Sequence, residues 1–212
     1  MRIAITQRVE QIAGHGERRD CLDQRWAPLM EALGVYLVPV PNGLAQPDAW
    51  LERQNVSGLI LSGGNDLSHL PNATNISVER DRTETTLLSV AHAQRLPVLA
   101  VCRGMQMLNH FLGGSMTPIT GHAGCMHSVS SLETDEHFSQ YTEVNSFHNW
   151  GIAPDDLAKN LNARIRAGDG SIEAAVHEEL PWTAIMWHPE RPSGNGDHDA
   201  RLIRHLFSIK DK

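Results

Sequence analysis

Pro97-Val98-Leu99-Ala100-Val101-Cys102-Arg103-Gly104-Met105-Gln106-Met107-Leu108-Asn109 decides how the rest of this chain is read. Val98 to Val101 is an uninterrupted apolar run, as suits a central parallel strand buried on both faces. Met105 to Leu112 then places apolar residues at helical spacing. Cys102 falls between the two elements, with Gly104 close behind. The pattern is a strand, a sharp turn carrying one nucleophile, and a helix: a cysteine form of the nucleophile elbow. A helix N-terminus has free N–H groups and a positive dipole end, which favour a thiolate. The N–H of Arg103, the residue after the cysteine, is placed to hold an oxyanion. A buried cysteine alone is more often packing than chemistry, so the reading needs a second group.

Thr183-Ala184-Ile185-Met186-Trp187-His188-Pro189-Glu190 supplies it. This is a second apolar strand ending in His, Pro, Glu. Pro189 disfavours helix in the residue before it, so His188 is expected to be extended. Side chains two apart on an extended segment point the same way. Glu190 then faces the imidazole and accepts a hydrogen bond from its second nitrogen. That fixes the tautomer and stabilises the imidazolium formed when His188 takes the Cys102 proton.

Four segments now stand in order: Ser62-Gly63-Gly64, Cys102-Arg103-Gly104-Met105-Gln106, Asn145-Ser146-Phe147-His148 and Trp187-His188-Pro189-Glu190. Together they resemble class I glutamine amidotransferase domains and their γ-glutamyl hydrolase relatives, across nearly the whole chain. One departure is Ala100, where many members have Gly two before the nucleophile; it removes no catalytic group. The resemblance implies an α/β fold, a three-layer α/β/α sandwich with a mostly parallel mixed central sheet of flavodoxin-like type, in one domain over residues 1–212. It implies Cys102 as nucleophile, His188 as base and Glu190 as its orienting acid. It implies an oxyanion hole from the N–H groups of Gly64 and Arg103. Gly63, Gln106, Ser146, Phe147 and His148 would border the glutamyl pocket. The Cys102 to Gln106 form, with Arg after the nucleophile, resembles the γ-glutamyl-γ-aminobutyrate hydrolase branch. Asn145 to Asn149 and Gly121-His122 resemble its γ-glutamyl-CDP-amidate hydrolase members. The implied partner is a small γ-glutamyl substrate, and the implied chemistry needs no metal or organic cofactor.

Composition narrows the rest. The 212 residues carry 18 Lys and Arg against 25 Asp and Glu, a formal net charge of −7, with no basic block. That argues against nucleic acid as a main partner and leaves a small nucleotide-containing substrate open. Cys21, Cys102 and Cys125 are an odd number at irregular spacing, so no disulfide framework is expected and the compartment reads as reducing, hence cytoplasmic. No segment approaches a membrane span. Oligomeric state, a homodimer included, stays open.

Along the chain, strands are expected over 3–6, 35–40, 57–61, 141–147, 164–167, 172–176 and 183–187, with Asp169-Gly170 as a hairpin turn. Residues 7–19 read as a loop. Asp20 is expected to cap a helix running to Leu33; further helices follow from Pro47, over 79–94, after Cys102, and from about Asp197 to Phe207. Gly121-His122-Ala123-Gly124-Cys125-Met126-His127 has spacings of no established zinc pattern, so it reads as a loop lining the pocket. Arg19, Arg80, Asp81, Glu84 and His127 are expected on the leaving-group side, with Arg18, Arg19, Arg80 or Arg82 able to pair with a phosphate. Few residues follow the last helix, so a stand-alone hydrolase is expected. The polar rim of 14–19, 79–82 and 122–128 agrees, because a docking face for a synthetase should be apolar. The alternatives are a glutaminase subunit that delivers ammonia, and a non-catalytic binding module, against which the intact Cys102, His188 and Glu190 weigh.

Overall fold

The structure, a computed structural model, describes residues 1–14 and 16–210. His15, expected on the polar rim, lies outside the described residues, as do residues 211–212. The sheet forms around β1 (Arg2–Thr6), which pairs in parallel with β4 (Tyr36–Val40) on one side and β5 (Leu59–Leu61) on the other. Beyond β5 come β6 (Val98–Val101) and β13 (Trp182–Ile185), also parallel. Here the direction changes. The sheet continues antiparallel through β12 (Ile172–His177), β11 (Leu161–Ala167), β8 (Ala123–Ser131) and β9 (Glu143–Phe147). The order of this nine-stranded mixed sheet is β4-β1-β5-β6-β13-β12-β11-β8-β9.

The apolar runs explain the layers. On β6, Val98 and Ala100 pack into one core and Leu99 and Val101 into the other, so this strand is buried on both faces. The first core takes Leu51 of α2 (Pro47–Arg53), Leu87, Leu88 and Ala91 of α3 (Val78–Gln94), and Met105 and Leu108 of α4 (Arg103–Phe111). The second takes Trp26 and Met30 of α1 (Trp26–Ala32) with Leu202, Ile203 and Leu206 of α5 (Gly196–Leu206). This is the expected three-layer α/β/α arrangement, with helices on both faces of the sheet.

Three local expectations are corrected. Residues 7–19 are not a plain loop: β2 (Arg8–Gln11) and β3 (Arg18–Cys21) form a small antiparallel hairpin. Asp20 sits in β3 and caps no helix; its carboxylate accepts the backbone N–H of Asn42 at 3.0 Å and its side-chain amide at 2.7 Å. Asp23 stands before α1 instead, accepting from Arg25 N at 3.0 Å. Residues 123–127 belong to β8, whose alternating burial marks a strand with one face covered. Short strands β7 (Thr117–Pro118) and β10 (Trp150–Gly151) pair beside the helix that follows Cys102. Among the described residues, no helix is long and apolar enough to cross a membrane.

Candidate active site

Ser62, Cys102 and His188 lie just past the carboxyl ends of the neighbouring parallel strands β5, β6 and β13. Open α/β sheets place their sites at this edge. The elbow is tied to β13 by Cys102 N donating to the Ile185 carbonyl at 2.8 Å. Cys102 has φ +53° and ψ −109°, a conformation that costs a non-glycine residue about 1–3 kcal/mol. The turn is held because α4 lies tight on β5: a Cβ on Gly104 would collide with the Leu61 carbonyl. Strain at this one residue lifts the thiol out of the strand and sets it at the N-terminus of α4.

His188 and Cys102 stand beside each other, and each shifts the other's pKa. The other imidazole nitrogen, Nδ1, lies 2.7 Å from Glu190 Oε1. All three residues are buried. Asn145 clamps the histidine backbone, its amide donating to the His188 carbonyl at 2.9 Å and its oxygen accepting His188 N at 2.8 Å. Gly63 presses on the imidazole from the other side: a Cβ there would stand 2.6 Å from His188 Cε1. Only glycine leaves the ring its place.

Burial pushes the Cys102 thiol up, but His188, His148 and the Arg103 N–H outweigh it and hold the thiol below its ordinary value. Burial likewise pushes His188 down, and Cys102 and Glu190 outweigh it, raising His188 to about 9. The two groups favour a thiolate–imidazolium pair. Because the histidine pKa is raised on folding, its contribution to stability is complete below about 6.5 and is lost as pH rises through about 9. Glu190→Gln removes one of the groups that raise His188. The alkaline limb of the kcat/KM profile should therefore move to lower pH, and kcat should fall about 10²–10⁴-fold, less than on loss of His188. A limb that stays in place would mean that another group holds the imidazolium.

The loop of Ser62, Gly63 and Gly64 is shaped from beneath. Arg80 donates to the carbonyl of Ser62 at 2.6 Å and to that of Gly63 at 3.1 Å, and also bonds the Gly64 carbonyl. In a trans peptide the N–H points opposite to the preceding carbonyl. Drawing the Gly63 carbonyl toward Arg80 therefore turns the Gly64 N–H away from it, toward the open side of the loop. Gly64 itself has φ +85°, where a side chain would be strained.

Arg80 and Glu84 thus do not contact a leaving group. Both are fully buried, Arg80 Nε donating to Glu84 Oε1 at 2.8 Å. The Arg103 guanidinium joins them from α4, pairing with Glu84 and Asp81, and Thr6 Oγ1 donates to Glu84 at 2.7 Å. Two cations and two carboxylates lock α3, the Ser62 to Gly64 loop and the start of α4 together. Arg82 reaches the Ala45 carbonyl at 2.9 Å. Arg18 pairs with Glu79, and Arg19 with Glu17 on its own hairpin at 2.8 Å. His127 points into the sheet, 3.5 Å from the buried Glu173. None of Arg19, Arg80, Glu84 or His127 lines the two cavities beside Cys102.

One of these cavities opens onto the thiol and the other onto His188. The first, of about 210 Å³, is lined by Cys102, Arg103, Gln106, Phe147, His148 and Trp150 among others. Gln106 is held by donating to the Trp150 carbonyl at 3.1 Å. Ser146 turns its hydroxyl inward to the His122 carbonyl at 2.6 Å, so it can offer only main-chain groups to a ligand. The other, of about 220 Å³, lies against Gly63, His188 and Glu190 and is walled by Arg8, Trp26 and Arg191. Arg191 stacks on Phe147, 4.3 Å from the ring centroid. A roomier depression of about 680 Å³ around His137, His198 and Arg201 holds none of these groups.

Fold and site together define a class. The peptidase C26 family model matches residues 3–190, and the chain belongs to that family. It is 33% identical over 211 residues to the gamma-glutamyl-CDP-amidate hydrolase of Campylobacter jejuni, covering 99% of this chain and 98% of that protein. It is 26% identical over 179 residues to a protein of Schizosaccharomyces pombe described as a glutamine amidotransferase, covering 73% and 70%. Among solved structures, a glutamine amidotransferase from Thermotoga maritima superposes with a TM-score of 0.65 at 14% identity, covering 98% of this chain and 82% of that one. The last likeness is one of fold.

Proposed function

We propose that the protein hydrolyses a γ-glutamyl amide through a glutamyl thioester on Cys102. The carrying observation is Cys102 set beside His188, whose Nδ1 is bonded to Glu190, next to the loop that Arg80 shapes. The thiolate attacks the γ-carbonyl, and the developing oxyanion is met by the N–H groups of Gly64 and Arg103. The C–N bond then breaks, His188 gives its proton to the leaving nitrogen, and the thioester remains. His188 next takes a proton from water, whose oxygen attacks the thioester. Glutamate leaves and the thiolate–imidazolium pair returns. Glu190 holds the ring and balances its charge throughout. Gln106 and the main chain of Ser146 and Phe147 hold the glutamyl part in the smaller cavity, of which His148 is only a wall.

The leaving nitrogen takes its proton from His188, so its substituent lies in the cavity on the His188 side. Arg8 and Arg191 there take the role first expected of Arg19 and Arg80. Guanidiniums suit phosphate through paired hydrogen bonds, and Trp26 adds an apolar wall. A nucleotide-linked amine fits this set, as does the 33% identity to a gamma-glutamyl-CDP-amidate hydrolase. The test is glutamate release by the purified protein from a series of γ-glutamyl amides. A γ-glutamyl amide carrying a nucleotide-linked amine should exceed free glutamine in kcat/KM by about 10²-fold or more, since remote binding energy is used in the transition state. Preference for free glutamine, or activity only with a synthetase added, would favour an ammonia-delivering glutaminase.

A further inference from the structure

Behind the wall formed by His148, four side chains converge that the hydrolytic steps do not use. Glu173 on β12 is fully buried, and both its oxygens lack a hydrogen-bond partner. His122 Nδ1 lies 3.7 Å and His148 Nε2 3.6 Å from Glu173 Oε1. His127 Nε2 faces the second oxygen at 3.5 Å. These three nitrogens are also without a partner. The separations exceed a good N–H to oxygen hydrogen bond, about 2.7–3.2 Å. They approach the roughly 3.4 Å expected between ligand atoms each about 2.1 Å from one tetrahedral ion. His122 Nδ1, His148 Nε2 and a Glu173 oxygen all fall within 4.8 Å of one another.

The opposite ring nitrogens settle which atoms carry lone pairs. His122 Nε2 lies 2.9 Å from the Asp169 carboxylate, and His148 Nδ1 lies 2.9 Å from the Trp150 carbonyl. An acceptor on each of those nitrogens requires an N–H there. In the neutral rings, His122 Nδ1 and His148 Nε2 are then bare lone pairs aimed at a buried carboxylate. That arrangement is repulsive unless a second proton on each ring, which Glu173 favours at His148, or a metal ion stands between. A carboxylate or carbonyl bonded to the far side of a histidine is also the usual outer support of a metal-bound imidazole.

We propose that His122, His148 and Glu173 bind a divalent transition-metal ion, with zinc the best fit to two imidazoles, one carboxylate and this spacing. The ion braces the segment before β8, the segment after β9, and β12 behind the glutamyl pocket, and takes no part in bond breaking. The His122 to His127 stretch showed no zinc spacing because two of the three ligands come from distant segments. The test uses the full chain with Cys102→Ala, so that the site thiol cannot capture the ion. After removal of metal with a chelator, Zn(II) is titrated against a chromophoric competitor, and Co(II) is used as a spectroscopic probe. One equivalent should bind, giving Co(II) d–d bands without thiolate charge transfer. Asp169→Asn, at a half-exposed side chain and with an oxygen kept for Ser171, should weaken binding about 10–100-fold, and Glu173→Gln should abolish it. Binding equal in all three proteins, or Zn(II) addition that leaves the His122 and His148 ring-nitrogen NMR signals unmoved, would overturn the site. The second result would assign the positive charge to two imidazoliums. Failure here leaves the hydrolase reading standing, since no step of it uses the ion.

Discussion

Cys102→Ala will leave a folded protein whose kcat on a γ-glutamyl amide is reduced by about 10⁴–10⁶-fold, the usual scale for removal of a nucleophile. The thiol is buried, so a purely structural role would make its removal cost stability instead. A second substitution separates the two readings. Cys102 has φ +53°, which alanine tolerates as poorly as cysteine and glycine accepts. Cys102→Gly should therefore be more stable than Cys102→Ala by about 1–2 kcal/mol and equally inactive. Thermal melts and initial rates measure both. Retained turnover in either variant would remove Cys102 as nucleophile, and unfolding of both would make it a core residue.

Glu84→Ala will lower stability by about 3–5 kcal/mol, as expected when one partner is taken from a buried ion pair. Glu84 accepts from Thr6 and Arg80 and pairs with Arg103, so its loss leaves two buried guanidiniums facing each other. Burial already lowers both, Arg80 to about 9. For a chain of this size the melting temperature should fall about 6–20 °C. Whatever remains folded should turn over slowly, because Arg80 would no longer be held beneath the carbonyls of Ser62 and Gly63. An unchanged melting temperature would mean that water reaches these charges.

The elbow was legible because everything that makes it is local: four apolar residues, one cysteine, a glycine two positions on, then helical spacing. The His188-Pro189-Glu190 geometry was legible for the same reason, proline and the two-residue repeat setting it within one short segment. The buried charges were not. Glu79 to Glu84 has the composition of a solvated helix start, and its partner Arg103 lies 19 residues beyond Glu84. Only the packing of α3 on α4 turns that face inward. The two hairpin strands around Gly14 and Gly16 are four residues each and almost wholly polar, so no apolar alternation announced them. Arg191 directly follows Glu190, but nothing local marks it as a cavity wall; its neighbour there, Arg8, lies in that unannounced hairpin. Glu173 sits in an apolar strand opened by Ile172, where a lone carboxylate already signals a buried charge in need of a partner.

The most direct test of the thioester is rapid acid quench of the wild-type protein during turnover of a γ-glutamyl amide, followed by proteolysis and mass spectrometry. A glutamyl adduct should appear on the peptide that contains Cys102, form before glutamate reaches its steady rate, and be absent from Cys102→Ala. Turnover with no adduct on that peptide, at a rate that Cys102→Ala retains, would contradict the account.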